Sequence, residues 1–424
     1  MVGKMSDVSL GEAFRLWLKI GLLSFGGPAA QIALMHKMLV EEKHWLNEKQ
    51  FLNALSFCML LPGPEAMQLA TYAGWRLHGW QGGLVAGLLF VLPGALVILA
   101  LALIYELYGD VPEINAIFIG IKATVLVIVL EALLRLARKA LDNRLHWLTA
   151  IAAFIGIFFF SLPFPLIVLA AGLVGFVFIK NVSIEQSIAA PGVSGMLSTV
   201  LLWAAIWSLP FIIVLAFNAD SILLEIGSYF SRLAVVTFGG AYAVLAYMGQ
   251  SVVEQFGWLS TGEMMDGLGL AETTPGPLIL VTEFVGFLAA YREGGLGLGL
   301  LGALMTLWVT FVPCFLWIFA GAPHIDWICS QPRLKNALTS IAAAVVGVIL
   351  NLTIWFSLHV LFSEVELKQW GLLTLWNPDP GSLDPVVLVL TLLCGFLILV
   401  RRWSVIHVLV TAACLGWLST LLNW

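Results

Sequence analysis

Long apolar stretches, separated by short polar connections, run the whole length of the chain. Residues 77–105, 145–179, 186–219, 233–253, 294–325, 336–363, 385–400 and 403–424 are free of Asp, Glu, Lys and Arg or nearly so. At a rise of 1.5 Å per residue, about 20 apolar residues in a helix cross a hydrocarbon core of about 30 Å. Four more stretches, at about 12–37, 51–75, 115–134 and 264–291, contain isolated charges and are counted with them. A single helix over 145–179 would reach about 52 Å. Ser161-Leu-Pro-Phe-Pro165 in its middle predicts a turn between two short helices instead. The pattern thus predicts an all-α polytopic membrane protein of about 13 transmembrane helices. A polar break at 218–228 divides it into a first half, 1–217, and a second half, 229–424.

Composition supports lipid as the main solvent. Charged residues make up 11% of the 424 positions, against roughly 25% in soluble proteins. Apolar residues reach 61%, and 17 are Trp, which collects at the headgroup boundary. With 20 Lys and Arg against 25 Asp and Glu, the net charge of −5 and the lack of a basic tract exclude a nucleic-acid binder. Cys58, Cys314, Cys329, Cys394 and Cys414 show no CxxC or Cys/His spacing, so neither a metal site nor a disulfide framework is expected. No cofactor motif appears, and a non-enzymatic role is expected. The polar start, MVGKMSDVSLGEAF, predicts no cleaved signal peptide.

Lys and Arg fix the expected orientation. With the N-terminus in the cytoplasm and 13 crossings, Lys4, Arg76, the cluster Arg135/Arg138/Lys139/Arg144, Lys180, Arg333/Lys335 and Arg401/Arg402 all fall inside. The acidic loops Glu106/Asp110/Glu113, Asp220/Glu225 and Glu364/Glu366/Asp379/Asp384 fall outside, as does the C-terminus. Loop 38–50 is the exception, since it carries Lys43 and Lys49 outside.

Sliding the chain against itself gives one dominant register. At an offset of 213, Phe25-Gly26-Gly27 meets Phe238-Gly239-Gly240, Trp45-Leu46 meets Trp258-Leu259, and Pro62-Gly63-Pro64 meets Pro275-Gly276-Pro277. Lys19 then meets Arg232, and Ser24 meets Thr237; after a further shift of seven, Pro93 meets Pro313. Seven crossings would separate equivalent helices, an odd number, so the two copies are expected to be inverted. Inverted repeats that rock about a central site are the usual plan of secondary transporters.

The repeated motifs suggest anion chemistry. Pro-Gly-Pro removes two backbone donors within an apolar span and must break the helix. A helix restarting after Pro64 or Pro277 aims N-terminal amides into the break, a ready anion site. Gln68, Thr273 and Thr274 are candidate donors there, and Glu65 and Glu272 are candidate gating or proton-coupling carboxylates. As structural readings, the breaks can be packing kinks, the carboxylates helix-end caps, and Phe-Gly-Gly a tight helix crossing. Lys19 and Arg232 are intramembrane cations, which usually face a partner or a wet path, although snorkelling also explains them. Lys122 lies deeper and has Ala342 opposite it in the repeat; it reads as a one-sided gate or a partner of Glu131.

These residues resemble the chromate ion transporter family in its long, two-copy form. The likeness rests on Phe14 to Pro28 with its SFGGP end, Trp45-Leu46, the Pro-Gly-Pro break, Leu92-Pro93-Gly94, and a diverged second copy of all but the last. The second copy departs at Ala241, where Pro28 stands in the first. The resemblance implies an inner-membrane transporter that expels chromate, thought to exchange it for protons, and so confers chromate resistance. Chemistry reaches part of the same answer, because a tetrahedral dianion matches converging amides, hydroxyls and one or two cations. Sulfate has the same shape and charge, so a sulfate or other oxyanion carrier is the alternative, with a membrane-embedded enzyme behind it. The expected partners are chromate, protons and the bilayer; oligomeric state stays open, with a homodimer among the options.

Overall fold

The computed structural model describes residues 8–109, 111–178, 194–217, 221–238, 241–329, 331–371 and 373–421. The helices of the first half are α1 (Leu10–Leu23), α2 (Gly27–His36), α3 (Glu48–Cys58), α4 (Glu65–Tyr108), α5 (Pro112–Ala140), α6 (Arg144–Phe158), α7 (Phe164–Phe178) and α8 (Ser194–Ala216). Those of the second are α9 (Ser221–Val236), α10 (Ala241–Gln250), α11 (Thr261–Thr273), α12 (Val281–Gly321), α13 (Ile325–Cys329), α14 (Pro332–Leu361), α15 (Pro385–Gly395) and α16 (Val405–Leu421). Wide π-turns extend α2 over Lys37–Glu42 and α10 over Ser251–Gln255.

Local chemistry sets many of these ends. The Ser9 hydroxyl accepts the Glu12 amide at the start of α1, and Asn47 and Gln50 form a reciprocal capping box at α3. Asp384 accepts the Val386 and Val387 amides at α15. Among the described residues, five helical stretches are long and apolar enough to cross a membrane: Glu65–Tyr108, Ile114–Ala140, Gly195–Ala216, Leu278–His324 and Pro332–Leu361. Shorter apolar helices cover Arg144–Phe158, Phe164–Val177, Pro385–Val400 and Val405–Ser419. On α8, Leu197, Leu201, Leu202, Ile212, Ile213 and Leu215 are all exposed, the wide apolar face a spanning helix presents to lipid. The chain is a multi-pass helical membrane protein.

Two departures from the sequence expectation stand out. The polar connection after α14 is not wholly irregular: β1 (Val365–Trp370) and β2 (Leu373–Pro378) pair antiparallel, so the fold is not purely helical. More consequentially, stretches 12–37 and 51–75 do not run from one side to the other. α1 is 14 residues long and stops at Leu23; the chain turns through Gly26 and Gly27 and comes back. Lys43, just beyond the π-turn after α2, lies 2.8 Å from Glu12 near the start of α1. His36 bridges Glu41 and Glu48, the latter at the start of α3, at 3.2 and 2.7 Å. α4 is itself two helices, bent at His78 and Gly79, and His78 meets the Val8 carbonyl at 2.7 Å. The outer ends of α1, α2, α3 and the first part of α4 therefore share one edge, with the Phe-Gly-Gly and Pro-Gly-Pro breaks at their other ends. Each stretch is a whole re-entrant hairpin with its break at the tip, not a crossing. Loop 38–50 consequently lies on the same side as the N-terminus, against the expected placement.

Two compact units form, one from Met1–Ala100, Ile179–Ala241 and Thr274–Lys335, the other from Leu101–Phe178, Tyr242–Thr273 and Asn336–Trp424. Each draws on both halves of the chain, so these units do not coincide with 1–217 and 229–424. In the first, α12 folds at an elbow, Gly294–Gly295, and packs on α8 and α9. In the second, α5 is the central helix, held by α11, α15 and α16. Gly120 lets α16 approach so closely that a Cβ there would sit 1.9 Å from the Ala412 carbonyl oxygen.

Candidate functional site

The first unit contains both Pro-Gly-Pro breaks, and each is docked on the end of the other copy's first helix. The Gly63 amide donates to the Thr237 carbonyl at 2.9 Å, and the Gly276 amide donates to the Ser24 carbonyl, also at 2.9 Å. Because Gly63 corresponds to Gly276 and Ser24 to Thr237, these are one contact made twice with the copies exchanged. The breaks are sharp. Gly63 and Gly276 adopt φ of +114° and +90°, a region that side chains with a Cβ rarely enter. Pro62, Gly63, Pro64, Pro275, Gly276 and Pro277 are all buried.

Further local geometry repeats. Ser24 and Thr237 hydroxyls donate back to Ile20 and Leu233. The Phe25 and Phe238 amides reach the carbonyls of Leu23 and Val236 at 2.9 and 3.0 Å. The amides of Trp45 and Trp258 close the two π-turns on Leu39 and Val252 at 2.8 and 3.0 Å. Gly239 and Gly240 lie outside the described residues.

The breaks are braced differently. At the first, Gln68 Nε2 donates to the Pro62 carbonyl at 2.7 Å, and a Cβ on Gly63 would meet Cys314 Sγ and Gln68 Nε2 at 2.9 Å each. At the second, Gln31 Nε2 donates to the Gly276 carbonyl at 2.6 Å and to the Ser24 carbonyl at 3.2 Å. A Cβ on Gly94 would lie 2.1 Å from the Pro275 carbonyl oxygen. Val244 and Val281 stand opposite Gln31 and Gln68 at the 213 offset, so each copy has lost one glutamine brace.

The predicted donors are thus largely occupied. Ser24, Thr237, Gln68 and Thr273 all donate to backbone carbonyls, Thr273 to Leu270 at 2.8 Å. What remains for a ligand is backbone. α2 starts at Gly27 with no side-chain cap, and α4 starts at Glu65; first-turn amides have no partner within their helix. In the second copy, the short helical turn after Pro277 likewise has no side-chain cap. Glu65 is half-buried at the first position of α4, where a carboxylate complements the helix dipole.

Other predicted residues sit apart. Lys19 and Arg232 lie on the exposed faces of α1 and α9, opposite the buried stripes Trp17/Ile20/Gly21 and Tyr229/Phe230/Leu233; Arg232 Nε donates to Ser228 O at 3.2 Å. Glu272 is buried and accepts the Tyr242 hydroxyl at 2.8 Å in the second unit. Lys122 pairs with Asp266 at 3.3 Å and not with Glu131, whose partner is Arg135 at 2.6 Å. Helix periodicity explains the correction: nine residues place Glu131 half a turn from the Lys122 face, whereas Arg135 is four residues from Glu131.

Gln31, Asp266 and Glu283 are not among the residues the motifs single out, and Gly94 and Cys314, named there for other reasons, pack against the breaks. Gln31, Asp266 and Glu283 were visible as polar residues inside apolar stretches, and all three are buried. Glu283 Oε2 has no hydrogen-bond partner. A further cavity of about 310 Å³ in the second unit, with Ser161, Tyr247, Ser251, Glu254 and Asn351 in its wall, contains none of the predicted residues.

The sequence profile of the chromate transporter family matches residues 11–176 and 224–417, two stretches whose starts are 213 residues apart. The chain belongs to the chromate transporter family. Relatives include the chromate transport protein of Pseudomonas aeruginosa, 33% identical over 348 residues, which cover 81% of this chain and 80% of that one. The probable chromate transport protein of Synechococcus elongatus is 29% identical over 398 residues, 91% of this chain and 95% of the relative. An uncharacterised transporter of Methanocaldococcus jannaschii is 26% identical over 418 residues, 98% and 96% of the two chains. No solved structure matches. Both matched stretches contain one Phe-Gly-Gly and one Pro-Gly-Pro, so the crossed contacts join the two family segments.

Proposed function

We propose that the chain is a secondary transporter that carries chromate out of the cytoplasm across the inner membrane and so confers chromate resistance. The observation that carries this reading is the crossed pair of hydrogen bonds, Gly63 to Thr237 and Gly276 to Ser24. Two broken segments exchanging the same contact fit two interlocked repeats related by a two-fold, as inverted repeats are, and helices that restart at breaks aim uncapped amides at an anion. Folding back 12–37 and 51–75 together with their counterparts in the second copy, 233–253 and 264–291, leaves five crossings between equivalent helices instead of seven, still an odd number, which keeps the two copies inverted. It also moves Lys43 and Lys49 to the cytoplasmic side with the N-terminus, removing the one exception to the positive-inside rule; the C-terminus stays external.

No G-x-x-x-x-G-K-[ST] loop is present, so transport draws on a gradient. An inside-negative potential favours anion exit by about 2.3 kcal/mol per charge per 100 mV. That term alone drives a dianion outward, with proton exchange as an added source.

Everted membrane vesicles containing the protein are expected to accumulate radiolabelled chromate when energised and to lose it when the potential is collapsed. Accumulation that ignores the potential sinks the driving-force reading, and equal competition by sulfate identifies a general oxyanion carrier. Lys19→Ala and Arg232→Ala are expected to weaken accumulation; full activity in both removes these cations from the path. Topology is checked separately. Cysteines at Lys43 and Lys49, in a background lacking Cys414, are expected to react with an impermeant thiol reagent from the cytoplasmic side only. Reaction from the outside restores the 13-crossing arrangement.

A further inference from the structure

A second polar cluster lies in the membrane-spanning part of the second unit. Lys122 is ten residues beyond Pro112 in α5, about 15 Å along the helix, among the buried Ile121, Ala123, Thr124 and Val125. Its Nζ is 3.3 Å from Asp266 Oδ2. The Tyr105 hydroxyl donates to that same oxygen at 2.8 Å. Asp266 Oδ1 is buried and has no hydrogen-bond partner.

Two donors, one cationic, therefore converge on a single carboxylate oxygen while the other oxygen is left unsatisfied. That is a poor design for a structural ion pair, because a buried pair stabilises only when its remaining lone pairs are met. It is a good design for a pair that must be separable. The two residues also differ in access: the Lys122 side chain is 25% exposed and that of Asp266 only 3%. The repeat gives no structural reason to keep them, since Ala342 and Asn53 stand at the equivalent positions. Finally, Asp266 rides on α11, whose last residue, Thr273, leads through Thr274 into Pro275.

We propose that Asp266 is an internal stand-in for the transported oxyanion. In this conformation its carboxylate occupies the donors of Lys122 and Tyr105. Transport passes through a second state in which one oxygen of a tetrahedral dianion receives both donors, and Asp266, released from α5, lets α11 and the second break move. The return of Asp266 to Lys122 displaces the anion. The inference rests on the transporter reading above and adds to it a second, transient anion station with its own competitor.

The test uses the full chain, with equilibrium chromate binding measured in detergent and chromate flux measured in proteoliposomes. Asp266→Asn keeps the shape and removes the competing charge. Chromate should bind roughly tenfold more tightly, while turnover falls, because nothing expels the anion. Lys122→Gln should weaken binding, and Tyr105→Phe should do so to a lesser degree. A purely structural pair gives the opposite split: Asp266→Asn would bind chromate no better than wild type, or worse, and that result overturns the inference. If Asp266→Asn does not fold, Asp266→Ser is read in the same way. A wild-type protein that binds neither chromate nor sulfate overturns the cargo reading and this inference together. Normal wild-type binding with unchanged or weakened binding in the variant overturns this inference alone.

Discussion

Gly63→Val should abolish chromate flux in proteoliposomes. At φ +114° a β-branched residue is strained by its own backbone, at about 1–3 kcal/mol. Its Cβ would also sit 2.9 Å from both Cys314 Sγ and Gln68 Nε2, inside a fully buried break. Overpacking of that kind costs a further 1–3 kcal/mol or so. The strain cannot be relieved by shifting the loop outward without losing the Gly63 amide bond to Thr237. The sum, about 4 kcal/mol at the middle of both ranges, corresponds to a several-hundredfold loss of the competent state. Gly63→Ala should fall between wild type and the valine variant, and Cys314→Ala should restore part of its flux by removing one of the two clashes. Gly79→Ala is the control: its φ is also positive, at +63°, but a Cβ there meets nothing within 4 Å. A Gly63→Val protein that inserts normally and transports at the wild-type rate would show that the break has no role in transport.

The second large effect is expected at Gln31. Its amide joins the Gly276 carbonyl of one copy to the Ser24 carbonyl of the other, and the side chain is 1% exposed. Gln31→Leu fills the same space but leaves the Gly276 carbonyl buried without its partner, at a cost of about 1–3 kcal/mol. Flux should drop roughly tenfold to a hundredfold. Gln31→Glu should be worse, because a carboxylate would face two carbonyl oxygens where the amide donates to both. Valine replacing Gln68, as Val281 does in the second copy, tests the other brace. If Gln31→Leu and Gln31→Glu are equally active, the glutamine merely fills space.

Not every motif residue keeps the role its spacing suggested. The hydroxyls of Ser24, Thr237 and Thr273 looked like ligand donors because each sits beside a break. In the folded chain each closes the last turn of its own helix, the common fate of Ser and Thr where a carbonyl three or four residues back is free. Lys19 and Arg232 fall on each other at the 213 offset and both are exposed; the offset alone carries no information about which face of a helix turns inward. Gln31 was legible as a polar residue in an apolar stretch. Its two acceptors were not, since one of them lies 245 residues away.

By itself the sequence determined the solvent of the fold, the presence of two copies, and where the backbone must break. Those are local properties: hydropathy is summed over a helix length, repetition is an offset, and proline and glycine act on their own φ and on the turn before them. Which way the chain leaves a break is a different kind of question. A short helix, a glycine turn and a second short helix have the same apolar composition whether they continue across the bilayer or fold back, because both paths lie in a low-polarity surround. Only contacts between distant residues choose between them. Lys43 on Glu12 and Val8 on His78 turn the first segments back, and the amides of Gly63 and Gly276 lock each break onto the opposite copy.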